Sequence, residues 1–160
     1  MALSETSSQR RAVSSRLRLH SSTRSSGSRR PTRALLSIRP EFVAAILRGE
    51  KRYEFRRRIF RQPIDVIVVY ATVPVRRVVA EFRVASIICD SPNALWRLTW
   101  KVAGIGRRSF FEYFRGKELG YAIEIGRVRQ YRSPFCPIAE LGLRPPQSFV
   151  YLSVSWKGGF

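Results

Sequence analysis

"RPEFVAAILRGEKRYEFRRR", residues 39–58, packs a helix, its stop signal and a strand into twenty residues. Pro40 can open a helix because its missing N–H is not needed in the first turn. Glu41 complements the positive helix end, and Phe42, Val43, Ile46 and Leu47 recur at helical spacing. Gly49 supplies the C-terminal stop, so the pattern predicts a helix over 40–48. From residue 52 to 58 the pattern changes to alternation, with Tyr53 and Phe55 on one face and Arg52, Glu54 and Arg56 on the other, as in a half-buried strand. Glu54 is the lone carboxylate among Lys51, Arg52, Arg56, Arg57 and Arg58, which makes it either a charge balancer or a group placed to act. In a regular strand positions 51 and 54 face opposite ways. Convergence of Lys51 and Glu54 therefore requires Lys51 to lie in the turn after Gly49.

Working outward, "ALLSI" (34–38) precedes the helix as a short apolar strand, and "IDVIVVYA" (64–71) is apolar and β-branched enough for a central strand covered on both faces. Residues 76–88 continue as a strand with Val78, Ala80, Phe82 and Val84 on one face and Glu81 and Arg83 on the other. Ser91 and Pro92 form a cap and first-turn pair for a helix carrying Leu95, Trp96, Thr99 and Val102. Gly104 to Gly106 separates it from a second helix, "RRSFFEYF". Alternation returns over 120–131, and a final strand spans 148–154 after Pro145 and Pro146. This order has little βαβ alternation, so the expected class is α+β, with a mostly antiparallel sheet that curls into a small barrel flanked by short helices.

Residues 1–33 hold ten Ser, eight Arg and one acid, with almost no large apolar side chains. Such a stretch cannot bury enough surface to offset chain entropy, and it is expected to be a disordered tail preceding a single domain over 34–160. The whole chain carries +19; the first 33 residues account for +7, leaving +12 on the remainder. A field of that sign attracts polyanions such as nucleic acid. His20 is the one histidine, and it falls in the tail, which removes Ser/His/Asp and Cys/His nucleophile pairs and any histidine metal site. Cys89 and Cys136 form no CxxC pair, so a zinc ribbon and a disulfide framework are both unsupported. No metal or other cofactor is called for. No apolar run approaches the roughly 18–20 residues of a membrane span, and no membrane partner is expected. A cytoplasmic location fits the cysteine usage; the alternative is an organelle, with the Arg- and Ser-rich start as a transit segment. Gly116-Lys117 lacks the upstream glycine and following hydroxyl of a phosphate-binding loop.

The stretch "LLSIRPEFVAAILRGEKRYEFRRR" resembles the opening of ASCH domains, members of the PUA-like superfamily. Their signature GxKxxExR stands here as Gly49, Lys51, Glu54 and Arg56. The later segments, from "VIVVYATVPVRRVVAEFRVASII" to "PPQSFVYL", resemble the rest of that domain in order, over residues 34–154. The resemblance implies a small β-barrel with a cleft between barrel and helices into which the signature residues point. It also implies one of three roles: RNA binding, ribonuclease activity, or hydrolysis of acetylated cytidine.

Two assignments follow. For binding RNA or a nucleotide, Lys51, Arg56, Arg57, Arg58, Arg76, Arg77, Arg107 and Arg108 are candidates to hold phosphates. Tyr53 is a candidate to stack on a base, with Phe55, Phe60, Tyr70 and Tyr131 as further aromatics near these charges. For a small metal-independent hydrolase, the resemblance to the acetylcytidine-hydrolysing branch assigns the catalytic lysine to Lys51 and a glutamate on a following strand to Glu81, while Glu54 stands where that branch has threonine. A lysine serves as base or nucleophile only when desolvation or a neighbouring cation depresses its pKa.

Overall fold

The computed structural model describes residues 30–153. Six strands form one sheet: β1 (Arg33–Ile38), β2 (Tyr53–Arg56), β3 (Val66–Ala71), β4 (Arg77–Asp90), β5 (Gly120–Phe135) and β6 (Phe149–Leu152), in the order β2-β5-β4-β3-β1-β6. Only β1 and β3 run parallel; every other pair is antiparallel. The long β4 and β5 bend the sheet into a half-barrel, as the expected α+β architecture requires. Helix α1 (Pro40–Leu47) follows β1. Helix α2 (Pro92–Thr99), a single 3-10 turn (Trp100–Val102) and α3 (Arg107–Tyr113) lie between β4 and β5, and α4 (Pro137–Leu141) follows β5. Among the described residues no helix is long and apolar enough to cross a membrane.

The concave core joins Ala34, Leu36 and Ile38 of β1 to Ile67 and Val69 of β3, Phe82 of β4 and Ile123 of β5, and α1 closes it with Val43 and Ile46. Fully burying each such Leu, Ile or Phe contributes roughly 1.5–3 kcal/mol. A second cluster sits on the other face of β2 and β5, where Phe55 and Ala122 meet Leu95 of α2 and Phe110 and Phe114 of α3. The Phe55 ring stands edge-on to Phe110 at 4.9 Å, a favoured aromatic geometry. A third cluster, Leu35, Val68, Tyr70 and Val78, covers the convex face with Tyr131, Phe135 and Leu141.

Two expectations change. β4 does not keep Val78 on the face of Ala80 and Phe82, because the register slips between Val69↔Ala80 and Tyr70↔Val78. The bulge leaves Val79 as the extra residue and turns Val78 to the convex side. β5 runs to Phe135 rather than ending at Tyr131, and α4 forms where no helix was expected. The Ser91 cap is as read: its side chain accepts from the Ala94 amide at 3.3 Å. Of the expected tail, residues 1–29 lie outside the described part. Thr32 is tied to Asp65 by its amide (2.7 Å) and its hydroxyl (2.9 Å).

Candidate functional site

Gly49 ends α1 with φ +77°, and the amides of Glu50 and Lys51 both donate to the Ala45 carbonyl. The chain turns before β2 begins, so Lys51 escapes strand alternation and enters the same space as Glu54, as the sequence requires for the two to meet. The loop after the 3-10 turn covers Lys51 from above. Its Nζ donates to the Ala103 carbonyl at 2.9 Å, and the Arg52 amide donates to the Val102 carbonyl at 2.8 Å. Gly104 lies against the lysine stem so closely that a Cβ there would sit 2.4 Å from Lys51 Cβ.

Lys51 is 2% exposed and Glu54 6%. The ammonium is 3.7 Å from Glu54 Oε2, and it lies 4.9 Å from the Phe42 ring and 4.7 Å from the Phe55 ring. The aromatic faces offer it negative quadrupole in place of water. Burial pulls the Lys51 pKa below that of an ordinary lysine; the Glu54 carboxylate opposes the shift and Arg56 adds to it slightly. Desolvation, rather than the surrounding arginines, therefore carries the depression.

Arg56 approaches Glu54 from the other side, with Nε 3.5 Å from Oε1, and its Nη2 donates to the Ser37 carbonyl at 2.8 Å. Its Nε is buried without a hydrogen-bond partner. Two cations and one carboxylate leave this buried trio with one net positive charge. The trio faces a cavity of about 190 Å3 lined also by Ser37, Ile38, Arg39, Phe42, Phe55, Ile105, Ser109 and Tyr113. That is below the ~300–1,000 Å3 of drug-sized ligand pockets; it suits one small group.

Not every candidate reaches this cavity. Glu81 is absent from its lining and lies on the convex face of β4, fully buried beside Val68 and opposite Arg129. The Tyr131 hydroxyl donates to Glu81 Oε2 at 2.9 Å, and Arg129 Nη1 is 3.5 Å from Oε1. Burial, then the Glu81 charge, pushes the Tyr131 pKa far above that of an ordinary tyrosine. A cleft holding Lys51, Glu54 and Glu81 together is thus corrected: the hairpin carries Glu81 to the other side of the sheet. Tyr53 is half-buried among Phe55, Phe110 and Phe114. Arg57 and Arg58 are exposed, and the Arg57 guanidinium stands 4.7 Å from the Tyr113 ring at the cavity wall. Arg107 and Arg108 are exposed at the start of α3, while Arg76 and Arg77 are exposed at the β3–β4 turn, where Arg76 holds a left-handed φ of 51°.

Sequence reasoning assigned no site role to Phe42, Ser109 and Tyr113. The last two are four apart on α3 and share one face, which was the available signal; nothing in the sequence says that face meets β2.

The chain matches no family model. It is 30% identical over 131 residues to an ASCH domain-containing ribonuclease of Zymomonas mobilis, covering 74% of this chain and 83% of that protein. This chain belongs to the ASCH-domain family. Crystal structures agree: the ASCH protein of Zymomonas mobilis matches with a TM-score of 0.69 at 31% identity, over 76% of this chain and 87% of that one. A serine-to-alanine mutant of the same protein matches at 0.70 and 30% identity, over 78% and 90%. In this ASCH domain the four signature residues have distinct physical tasks. Gly49 makes the turn, Lys51 and Arg56 flank the acid, and Glu54 balances both while facing the cavity.

Proposed function

We propose that this ASCH domain binds RNA, seating one phosphate or one base edge in the Lys51–Glu54–Arg56 cavity. The observation that carries the reading is the Arg56 Nε donor, ion-paired to Glu54 Oε1 at 3.5 Å but buried without a hydrogen-bond partner, beside a cavity of net positive charge. A buried unsatisfied donor costs about 1–3 kcal/mol, and an acceptor oxygen entering the cavity relieves that cost. In this reading the flanking backbone is held by Arg57, beside Tyr113 of the cavity wall, and by exposed Arg58, Arg107 and Arg108 on or next to elements that contribute to its lining. The experiment is a salt titration of binding to short RNAs. Affinity falls steeply with salt, and Lys51→Ala and Arg56→Ala each weaken it; a wild-type protein without affinity at low salt, or variants that bind as well as wild type, sinks the cleft.

A second reading is metal-independent RNA cleavage, favoured by the depressed Lys51 pKa and by the ribonuclease name of the Zymomonas mobilis relative. A lysine whose pKa is lowered by burial gives up its own proton more readily than an ordinary lysine and is then able to take one from an attacking hydroxyl, with Arg56 donating to the developing oxyanion. Labelled RNA incubated with chelator decides it: cleavage above a Lys51→Ala control supports catalysis, and equal rates leave a binding protein. The hydrolysis of acetylated cytidine loses its borrowed catalytic set, since Glu81 lies outside the cavity.

A further inference from the structure

The aromatics offered by the sequence for base stacking are largely committed to packing. Phe55, Phe60 and Tyr70 are buried, Tyr53 is held in the helix-side cluster, and Tyr131 gives its hydroxyl to Glu81. Tyr151 is partly exposed but packs on Phe149, and its hydroxyl accepts from the Arg61 amide. Trp100, by contrast, is 55% exposed, and tryptophan is normally among the well-buried residues. The Lys101 ammonium lies 5.6 Å from the Trp100 ring. Arg97 and Lys101 are both exposed, and residues 92–102 contain no Asp or Glu. These two cations also offset the negative end of α2.

The position of Trp100 ties it to the cavity. Only Lys101 and Val102 separate it from Ala103, whose carbonyl holds Lys51 Nζ. Three residue steps span at most about 11 Å even when fully extended, so the indole lies close to the loop that holds Lys51.

We propose that Trp100, with Arg97 and Lys101, is a stacking platform for an unpaired nucleotide of the same RNA strand whose neighbour enters the cavity. This rests on the RNA-binding reading and deepens it by adding a second contact, outside the cavity, for the same strand. An indole face stacks on any base, the two cations meet the adjacent phosphates, and a duplex offers the platform no free base. An acidic protein or a second copy of this chain would instead use Leu98 and Trp100 as an apolar contact. The lack of any acid over residues 92–102 and the proximity to Lys51 favour the nucleic acid.

The test compares wild type, Trp100→Leu, Trp100→Phe and Lys51→Ala for binding to an oligouridine of about 12 nucleotides and to an RNA duplex of the same length. Trp100→Leu is expected to bind oligouridine about 5- to 100-fold more weakly, with duplex affinity unchanged. Trp100→Phe stays near wild type but loses part of the tryptophan quenching that oligouridine causes. Equal affinity of Trp100→Leu and wild type, alongside weakened Lys51→Ala, overturns the platform and leaves the cavity standing. An unchanged RNA affinity with a smaller sedimenting species for Trp100→Leu assigns the indole to a protein contact and also overturns it. No RNA binding by wild type removes both readings.

Discussion

Gly104 carries more of the site than its lack of a side chain suggests. At φ +60° an L-residue is strained, and any Cβ would meet the Lys51 stem at 2.4 Å. Gly104→Ala is therefore expected to cost about 1–3 kcal/mol in denaturant unfolding and to weaken RNA binding as Lys51→Ala does, because the Ala103 carbonyl moves with it. Binding at wild-type strength in a folded Gly104→Ala protein would falsify the view that this loop positions the lysine. Glu54 gives a second test with a definite sign. Its carboxylate raises the Lys51 pKa against the larger lowering by burial, so Glu54→Gln pushes that pKa lower still. NMR titration of the lysine side chain should show its midpoint, already below the ordinary ~10.4, falling further in the variant. Since the unfolded chain holds this proton more tightly than the folded one, the lysine's penalty is full below the folded pKa and fades as pH rises toward the unfolded value. The pH window over which stability climbs is therefore wider in Glu54→Gln. A midpoint that stays or rises contradicts the buried ion pair.

At the scale of elements, the hairpin of β4 and β5 decides what Glu81 does. Its carboxylate accepts a partly buried hydrogen bond from the Tyr131 hydroxyl on the convex face, and hydrogen bonds to charged groups contribute about 1.5–3 kcal/mol. Tyr131→Phe should lower unfolding free energy by that order while leaving RNA affinity and any cleavage unchanged; a loss of binding at unchanged stability would return Glu81 to the functional site. The same hairpin marks where the sequence stopped being legible. α1, its glycine stop and β2 were readable because Pro40, Gly49 and the change of period from helix to strand all agree within twenty residues. The placement of Lys51 beside Glu54 followed from that local grammar. Val78 left its expected face because two-residue alternation carries no mark for a bulge, whereas Glu81 keeps the face opposite Ala80 and Phe82 that alternation gives it; which face of β4 shares a side with Lys51 was not legible, since that depends on how β2 and β4 both pair with β5. The five-residue α4 is too short to show a helical period. Phe42 was legible as helix, but its ring against the Lys51 ammonium depends on how α1 meets β2, which is a tertiary fact.

For the molecule as a whole, charge and cavity are separate determinants. The cavity trio has one net positive charge, whereas residues 34–160 carry +12, so most of the field lies outside the cavity; in the RNA-binding reading it meets phosphates without regard to sequence. Residues 1–29 add six arginines against Glu5 and join the fold just before Thr32, which is tied to Asp65. A chain beginning at residue 30 retains every described residue of the three packed clusters and should unfold at an unchanged midpoint. Its RNA affinity should decline less with salt than that of the full chain, because each contacting cation contributes about 0.7 to the logarithmic slope on a single strand. The six arginines thus account for a difference of at most about 4. The Lys51→Ala penalty should be the same in both lengths of chain, since the lysine acts inside the cavity and not through the field. Equal salt slopes for the two lengths would mean that residues 1–29 do not touch the RNA. A Lys51→Ala penalty that vanishes in the short chain would mean that cavity and basic segment act as one site.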